Sequence, residues 1–197
     1  MPKNKIILAS GSPRRQQFFK DLDILRHFDF EIRLKEIDEI YPENLKAEEI
    51  TNFLAELKAN AFEGEIGTNE ILITSDTIVW INDVALGKPK DYEDAVRILK
   101  LLSNATHQVI TSVCFKTPLQ TNTIHDKTNV TFSELSDAAI HYYLKTYQPF
   151  DKAGAYGIQD WIGLVGISKI EGSYTNVVGL PTEKVYRYLT EHFIFNG

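Results

Sequence analysis

Apolar residues follow two different periods along the chain, and stretches of the two kinds alternate. Short runs rich in β-branched and aromatic residues predict strands over Ile6–Ala9, Phe28–Leu34, Ile71–Ser75, Thr77–Ile81, His107–Thr117, Val130–Phe132 and Leu164–Ile170. Apolar residues three and four positions apart predict helices over Ser12–Leu22, Ala47–Phe62, Asp91–Leu102, Ser136–Tyr147 and Pro181–Phe193. The alternation predicts an α/β fold with a mixed sheet and helices on both of its faces. No linker interrupts the pattern, so we expect a single domain over residues 1–197.

The predicted helices differ in the charge of their first turns. A helix N-terminus carries partial positive charge, so acidic residues are favourable there. The helices that begin near Asp91, Ser136 and Pro181 have acidic residues in their first turns. The helix that begins at Ser12 has Arg14 and Arg15 instead. Its first turn therefore places cations where the backbone already favours an anion.

A bound phosphate would explain the two arginines. Backbone N–H groups, the hydroxyls of Ser10 and Ser12, and the guanidinium groups of Arg14 and Arg15 are all phosphate ligands. The small residues that precede the helix allow a ligand to approach the backbone. The alternative is that both arginines pair with acidic residues at the surface. The segment is not a Walker loop, because it lacks the Gly-Lys-Ser/Thr of that motif.

Asp76 interrupts a β-branched apolar run, ILITSDTIVW. Aspartate is depleted in strands, and a buried carboxylate without a partner costs free energy. One interpretation is a turn at the end of a strand. The other is a functional carboxylate at a strand end, facing a cleft, where it holds a metal ion or accepts a proton from water.

Other candidate residues are less distinctive on their own. Lys58 flanks the apolar stripe of its helix, where its ammonium either reaches solvent or enters a site. Lys88 lies in a loop before a helix, and Glu39 lies in the acid-rich stretch KEIDEIYPE. The loop Asp151–Gln159 is dense in Gly and Ala, which predicts a close approach of its backbone to another group, such as a planar ring.

Composition narrows the class of function. The chain is 43% hydrophobic and 24% charged, with 27 acidic and 21 basic residues and a net charge of −6. This balance argues against nucleic acid as a partner, although a local cationic site still suits a small anion. One cysteine excludes an intrachain disulfide. No run approaches the ~18 apolar residues of a membrane span, and the apolar stretch near Met1 is too short to predict a signal peptide, so we expect a cytoplasmic protein.

Four segments, in order along nearly the whole chain, resemble those of one known family. They are LASGSPRR (Leu8–Arg15), SDTIV with LGKP (Ser75–Val79, Leu86–Pro89), PFDKAGAYGIQ (Pro149–Gln159) and IEGSYTNVVGLP (Ile170–Pro181). Together they are similar to the motifs of the Maf family of nucleoside triphosphate pyrophosphatases. The resemblance implies an inosine-triphosphatase-like fold with two lobes around a cleft, and a homodimer. It also implies cleavage between the α- and β-phosphates of a nucleoside triphosphate with Mg²⁺ or Mn²⁺.

The resemblance also implies roles for particular residues. Asp76 matches the carboxylate that accepts a proton from the attacking water, although the sequence leaves open whether it is instead a metal ligand, together with Glu39. The resemblance, together with the charge argument that adds Ser12, gives the residues expected to bind substrate: Ser10, Ser12, Arg14, Arg15, Lys58, Thr77, Lys88 and Gln159.

Three of these positions bear on the choice of base. Arg15, Thr77 and Gln159 together resemble the subfamily that acts on dTTP and UTP. One alternative is the same reaction on 7-methyl-GTP or another base. A second alternative is a nucleotide-binding regulator of cell division without turnover.

Overall fold

The structure, a computed structural model, describes residues 3–194. Seven strands are formed: β1 Lys5–Leu8, β2 Asp29–Ile32, β3 Glu70–Ile81, β4 Val84–Leu86, β5 Thr106–Lys116, β6 Thr121–Phe132 and β7 Ile167–Glu171. Seven α-helices accompany them: α1 Pro13–Asp21, α2 Glu48–Asn60, α3 Tyr92–Leu102, α4 Asp137–Tyr147, α5 Trp161–Gly166, α6 Tyr174–Val178 and α7 Thr182–Leu189. Short 3-10 turns occur at Ile24–Arg26 and Ala153–Ala155, and a π-helical turn, Thr190–Ile194, follows α7.

The strands form one sheet in the order β2-β1-β3-β5-β6-β7, with β4 paired to β3. Strand β1 is parallel to both β2 and β3. Strand β4 is antiparallel to β3, and β7 is antiparallel to β6. The predicted mixed α/β fold is therefore confirmed. None of the helices within residues 3–194 has the length and apolar composition of a membrane span.

The chain divides into two compact units. The first unit contains the residues up to Asp76, Thr111–Asp126 and the residues from Gly179 onward. Its core is built from the apolar side chains of β1, α1, β3 and α7, including Ile6, Phe19 and Leu189. A smaller cluster on the α2 side of the same unit includes Ala55 and Leu72.

The second unit contains Thr77–Ile110 and Lys127–Val178. Its core is centred on α3, where the predicted apolar face is confirmed: Ala95, Ile98, Leu99 and Leu102 are all buried. Asp91 caps this helix, its carboxylate accepting a hydrogen bond from the backbone N–H of Asp94 at 2.8 Å.

Two of the differences between the predicted elements and the structure concern β6 and α5. Strand β6 begins at Thr121, nine residues before the predicted start at Val130. Its first half is polar and largely exposed, so apolar periodicity does not reveal it. Residues Leu164–Gly166, predicted as strand, belong to α5 instead. A short apolar run fits either a helix or a strand, and here β7 begins only at Ile167.

The small residues of the loop Asp151–Gln159 have a packing explanation. Gly154 has φ +70°, and a Cβ atom there would lie 2.6 Å from Cγ2 of Val79. Its N–H donates to the carbonyl of Gly87 at 3.0 Å. The predicted close approach of the backbone is confirmed, but within the described residues the neighbour is the side chain of Val79.

His107 is buried among aromatic side chains of the second unit. Its ring stacks on Phe132 at a centroid distance of 5.7 Å, and its Nε2 lies 2.7 Å from the hydroxyl of Tyr156. Its Nδ1 has no hydrogen-bond partner among the described residues. Burial lowers the pKa of His107 to about 4, from an ordinary value of 6.5.

Stability is expected to fall in mild acid because of His107. The unfolded chain protonates this residue below pH 6.5, whereas the folded chain resists protonation down to about pH 4. The contribution of neutral His107 to the free energy of unfolding is therefore complete above pH 6.5 and is lost as the pH falls towards 4. Between pH 7.5 and 5, the wild type should lose about 2 kcal/mol more unfolding free energy than His107→Gln. Urea unfolding at both pH values measures this, and equal losses in the two proteins would contradict it.

Candidate active site

The turn between β1 and α1 is organised by serine side chains. Ser12 caps the helix as predicted: its Oγ accepts from the backbone N–H of Arg15, and Pro13 occupies the first helical position. The hydroxyl of buried Ser10 accepts from the backbone N–H of Ser12 at 3.3 Å. No acidic residue lies in the first turn of α1, whereas α2, α3, α4 and α7 each have at least one there. The contrast expected from the sequence is confirmed.

The guanidinium of Arg15 binds the protein backbone. Its Nε donates to the carbonyl of Gly179 at 2.8 Å, and its Nη1 donates to the carbonyl of Ser75 at 3.1 Å. Nη1 also lies 3.5 Å from the hydroxyl of Ser10. Arg15 therefore joins the turn to β3 and to the segment before α7, a role that the sequence did not predict.

The surroundings of Arg15 shift its pKa in opposite directions. Burial, with a smaller contribution from the neighbouring Arg14, lowers the pKa of Arg15. The carboxylates of Asp76 and Glu39 act to raise it. Because these two carboxylates influence the guanidinium electrostatically, the turn and the acidic residues belong to one electrostatic environment.

Parallel pairing of β1 and β3 places the turn next to Asp76. Leu8, the last residue of β1, is in register with Ile73, and the N–H of Ala9 donates to the carbonyl of Ile73 at 2.9 Å. Beyond this point the first chain turns into α1, while β3 continues through Ser75 and Asp76. In parallel sheets, ligands commonly bind at the carboxyl ends of the strands.

Asp76 lies in the middle of a continuous 12-residue strand. The position at a strand end, which both interpretations assumed, is therefore wrong, because β3 passes through Asp76 without a turn. The role of the carboxylate stays a prediction. Asp76 is buried, with 7% of its surface exposed. An ion pair with Lys58 satisfies the carboxylate that the strand would otherwise bury without a partner.

The packing of helix α2 against strand β3 brings Lys58 next to Asp76. The hydroxyl of Thr74 donates to the carbonyl of Ala55 at 2.6 Å, which fixes the strand against the helix. Asp76 follows Thr74 by two residues on the same face of β3, and Lys58 follows Ala55 by three residues on the same face of α2. The strand and the helix therefore meet again at this pair. There Nζ of Lys58 donates to Oδ1 of Asp76 at 2.6 Å.

Glu39 completes a three-residue ionic cluster. Its Oε1 lies 2.9 Å from Nζ of Lys58, so one ammonium bridges two carboxylates. The side chain of Lys58 is only 13% exposed, which contradicts the interpretation that its ammonium simply reaches solvent. Glu39 lies on the solvent side of the cluster, and its side chain is 47% exposed. We call Glu39, Lys58 and Asp76 the acid–lysine cluster.

The remaining predicted residues lie in the second unit, apart from Arg14, which is half-buried in the first turn of α1. Thr77 follows Asp76 on β3 and is half-buried. Lys88 is exposed in the segment after β4, and Gln159 is exposed at the end of the small-residue loop. Their roles in binding substrate stay predictions.

Comparison with known proteins shows the family of the chain. A model of the Maf family, described as Maf-like protein, matches residues 5–192. The chain belongs to the Maf family. This Maf chain is 67% identical over 190 residues to a Flavobacterium johnsoniae protein named dTTP/UTP pyrophosphatase, covering 96% of each chain. It is 66% identical over 188 residues to a Flavobacterium psychrophilum protein of the same name, covering 95% of this chain and 94% of that one.

Among solved structures, the Maf chain is similar to a nucleoside-triphosphatase / dITP/XTP pyrophosphatase from Mycobacterium abscessus. The identity is 13%, the TM-score is 0.48, and the match covers 95% of this chain and 93% of that chain. A likeness this weak does not establish a shared fold or a shared site, so the inosine-triphosphatase-like fold stays a prediction.

Three residues of this Maf site were not predicted from the sequence. Ser75 and Gly179 contribute only carbonyl groups to Arg15, and Thr74 contributes the hydroxyl that fixes α2. Backbone carbonyls have no residue-type signature, so no sequence pattern reveals the first two. The hydroxyl of Ser75 is buried without a hydrogen-bond partner in the part of the chain that the structure describes.

The acid–lysine cluster suits a magnesium-type ion by its donor set. Mg²⁺ is commonly held by one or two carboxylates, completed by water and substrate phosphates. Asp76 and Glu39 supply two carboxylates around one cationic position, which Lys58 occupies. No group of three or more His, Cys, Asp or Glu side chains suited to a metal occurs within residues 3–194. Two carboxylates leave the rest of the coordination of such an ion to water and to phosphate oxygens of a substrate.

Proposed function

We propose that this Maf protein hydrolyses dTTP and UTP to the nucleoside monophosphate and pyrophosphate. The observation that carries the proposal is the acid–lysine cluster beside the serine- and arginine-rich turn that follows the carboxyl end of β1. Relatives that carry the name dTTP/UTP pyrophosphatase at 67% and 66% identity support the choice of substrate. The sequence combination of Arg15, Thr77 and Gln159 supports the same choice.

The turn before α1 is assigned to the phosphates. The side chains of Ser10, Ser12 and Arg14 offer donors to an anion, which the helix dipole also favours. Arg15 and Lys58 add positive charge next to them. Such preorganised cations stabilise the charge that develops on phosphoryl oxygens in the transition state. Thr77, Lys88 and Gln159 are proposed as further substrate contacts.

Asp76 is assigned to the attacking water. Lys58 holds Oδ1, and the second carboxylate oxygen accepts a hydrogen bond from the water and then its proton. The water oxygen forms a bond to the α-phosphorus as the bond from that phosphorus to the bridging oxygen breaks. Pyrophosphate leaves with the electron pair of the broken bond. Lys58 fixes the orientation of the carboxylate during this step.

Asp76 and Glu39 are the proposed ligands of a Mg²⁺ or Mn²⁺ ion. When bound, such an ion neutralises phosphate charge and lowers the pKa of bound water. Lys58 would keep its hydrogen bond to Oδ1 of Asp76, and its charge would stay next to the phosphates. We also propose that the protein is a cytoplasmic homodimer that does not bind nucleic acid.

Hydrolysis of a nucleotide panel tests the proposed function. We expect pyrophosphate release from dTTP and UTP with Mg²⁺ or Mn²⁺, and much less without metal. Faster turnover of 7-methyl-GTP than of dTTP and UTP would contradict the assigned bases. Nucleotide binding without release of pyrophosphate from any member of the panel would instead support a regulator without turnover.

A further inference from the structure

Strand β7 lies at an outer edge of the sheet. It pairs antiparallel with β6, with Val130 opposite Ile170, and no other described strand pairs with it. Its residues after Ile167 are all exposed. Protein edge strands are normally covered, twisted away or blocked by charges, because their free backbone groups pair readily with another strand. The outer edge of β7 thus has an unfilled capacity for strand pairing.

Large apolar side chains are exposed at β7 and at both of its ends. Leu164 and Val165, at the end of α5, are 81% and 55% exposed. Ile170 within the strand is 39% exposed, and Tyr174 at the start of α6 is 48% exposed. An apolar group of this kind next to a free strand edge is typical of a protein–protein interface.

We propose that β7 pairs antiparallel with β7 of a second copy of this chain, with Ile170 at the two-fold axis. The proposal rests on the homodimer given under the proposed function and on none of the residues assigned to hydrolysis. A two-fold axis makes the interface self-complementary, since each contact occurs twice. The charges and the apolar residues around β7 both meet this requirement.

The charges select the register. Lys169 and Glu171 lie on one face of β7, where their side chains form a 2.7 Å ion pair. With the axis at Ile170, Lys169 lies opposite Glu171 of the second copy, and Glu171 lies opposite Lys169 of that copy. With the axis at Lys169 or at Glu171, like charges would face each other, which is unfavourable in paired strands. Only the register centred on Ile170 pairs both charges with opposite charges.

The apolar ends fit the same axis. Val165 lies five residues before Ile170, and Tyr174 lies four residues after it. The antiparallel arrangement therefore brings the end of α5 in one copy towards the start of α6 in the other. Leu164 and Val165 of each copy would cover Tyr174 of the other copy at both ends of the paired strands. The apolar contacts supply most of the affinity, because exposed ion pairs contribute little.

Charge reversal tests this surface directly. Lys169→Glu and Glu171→Lys each create two like-charge pairs across the axis, so each variant alone should dimerise at least about tenfold more weakly than the wild type. When the two variants are mixed, both pairs across the axis again join an acidic to a basic side chain. A heterodimer of wild-type affinity should therefore form. Analytical ultracentrifugation, with one variant fluorescently labelled, measures all three dissociation constants.

A matched control and a double variant complete the test. Lys100→Glu reverses an exposed charge that pairs with Asp137 elsewhere in the second unit, and it should leave the dissociation constant unchanged. Lys169→Glu/Glu171→Lys should restore the dimer. A wild-type monomer at every concentration, equal dissociation constants for all variants, or failure of the mixture to associate would each overturn the proposal. Hydrolysis of dTTP, measured on the same samples, reports the proposed function separately.

Discussion

Asp76→Asn is expected to lower kcat for dTTP by about 10²–10⁴-fold, the usual contribution of a group that accepts a proton in catalysis. Asparagine has the size of aspartate and keeps an acceptor oxygen for Nζ of Lys58, but it cannot take a proton from water. Glu39 still pairs with Lys58 in the variant. The loss of unfolding free energy should therefore be about 1 kcal/mol, so that activity falls far more than stability. Pyrophosphate release and thermal unfolding of the same preparation measure the two effects.

Asp83→Asn is the matched control. Asp83 is exposed in the turn between β3 and β4, with φ 59°, a conformation that asparagine adopts readily. The same chemical change there should leave both kcat and the melting temperature unchanged. If Asp76→Asn retained more than a tenth of wild-type kcat, the carboxylate would not be the group that activates water.

Arg15→Ala is expected to damage both binding and folding. The substitution removes the donors to the carbonyls of Ser75 and Gly179, and each charged hydrogen bond contributes about 1.5–3 kcal/mol. Partial replacement by water reduces the cost to about 2 kcal/mol, which lowers the melting temperature by about 4–8 °C. The turn also loses its attachment to β3. KM for dTTP should therefore rise at least about tenfold, because the donors around the phosphates are no longer held in position.

Two other arginines separate these effects. Arg187 is exposed and pairs with Glu183 on α7. Arg187→Ala should therefore change the free energy of unfolding by no more than about 0.5 kcal/mol and should leave KM unchanged. Arg14→Ala should raise KM with little change in melting temperature, since Arg14 is assigned to phosphate. An unchanged melting temperature in Arg15→Ala would show that its two backbone hydrogen bonds do not hold the turn.

Arg15 illustrates what the sequence could and could not predict. The sequence correctly predicted that the first turn of α1 carries cations instead of acidic residues, because both the charges and the start of the helix can be read from it. The partners of Arg15 were not visible, because they are carbonyl groups 60 and 164 residues away. The sequence assigned both arginines to phosphate and Arg15 also to the choice of base, whereas the structure shows that Arg15 braces the turn through two backbone carbonyls.

Asp76 shows the same limit for the candidate site. Its residue type in an apolar strand correctly marked it as exceptional. Its place in the middle of β3 was mispredicted, since local propensity takes no account of a lysine from α2 that satisfies the carboxylate. Long, strongly periodic elements such as α3 were predicted closely. The polar half of β6 was missed because its stability comes from pairing with neighbouring strands rather than from its own sequence.

A crystal structure with Mn²⁺ and a dTTP analogue that resists cleavage between the α- and β-phosphates tests whether the acid–lysine cluster is the catalytic centre. We predict an anomalous manganese signal against the carboxylates of Asp76 and Glu39, and phosphates against the turn of Ser10, Ser12 and Arg14. Manganese or phosphates bound away from these residues, with the acid–lysine cluster unchanged, would contradict the assignment of this cluster as the catalytic centre.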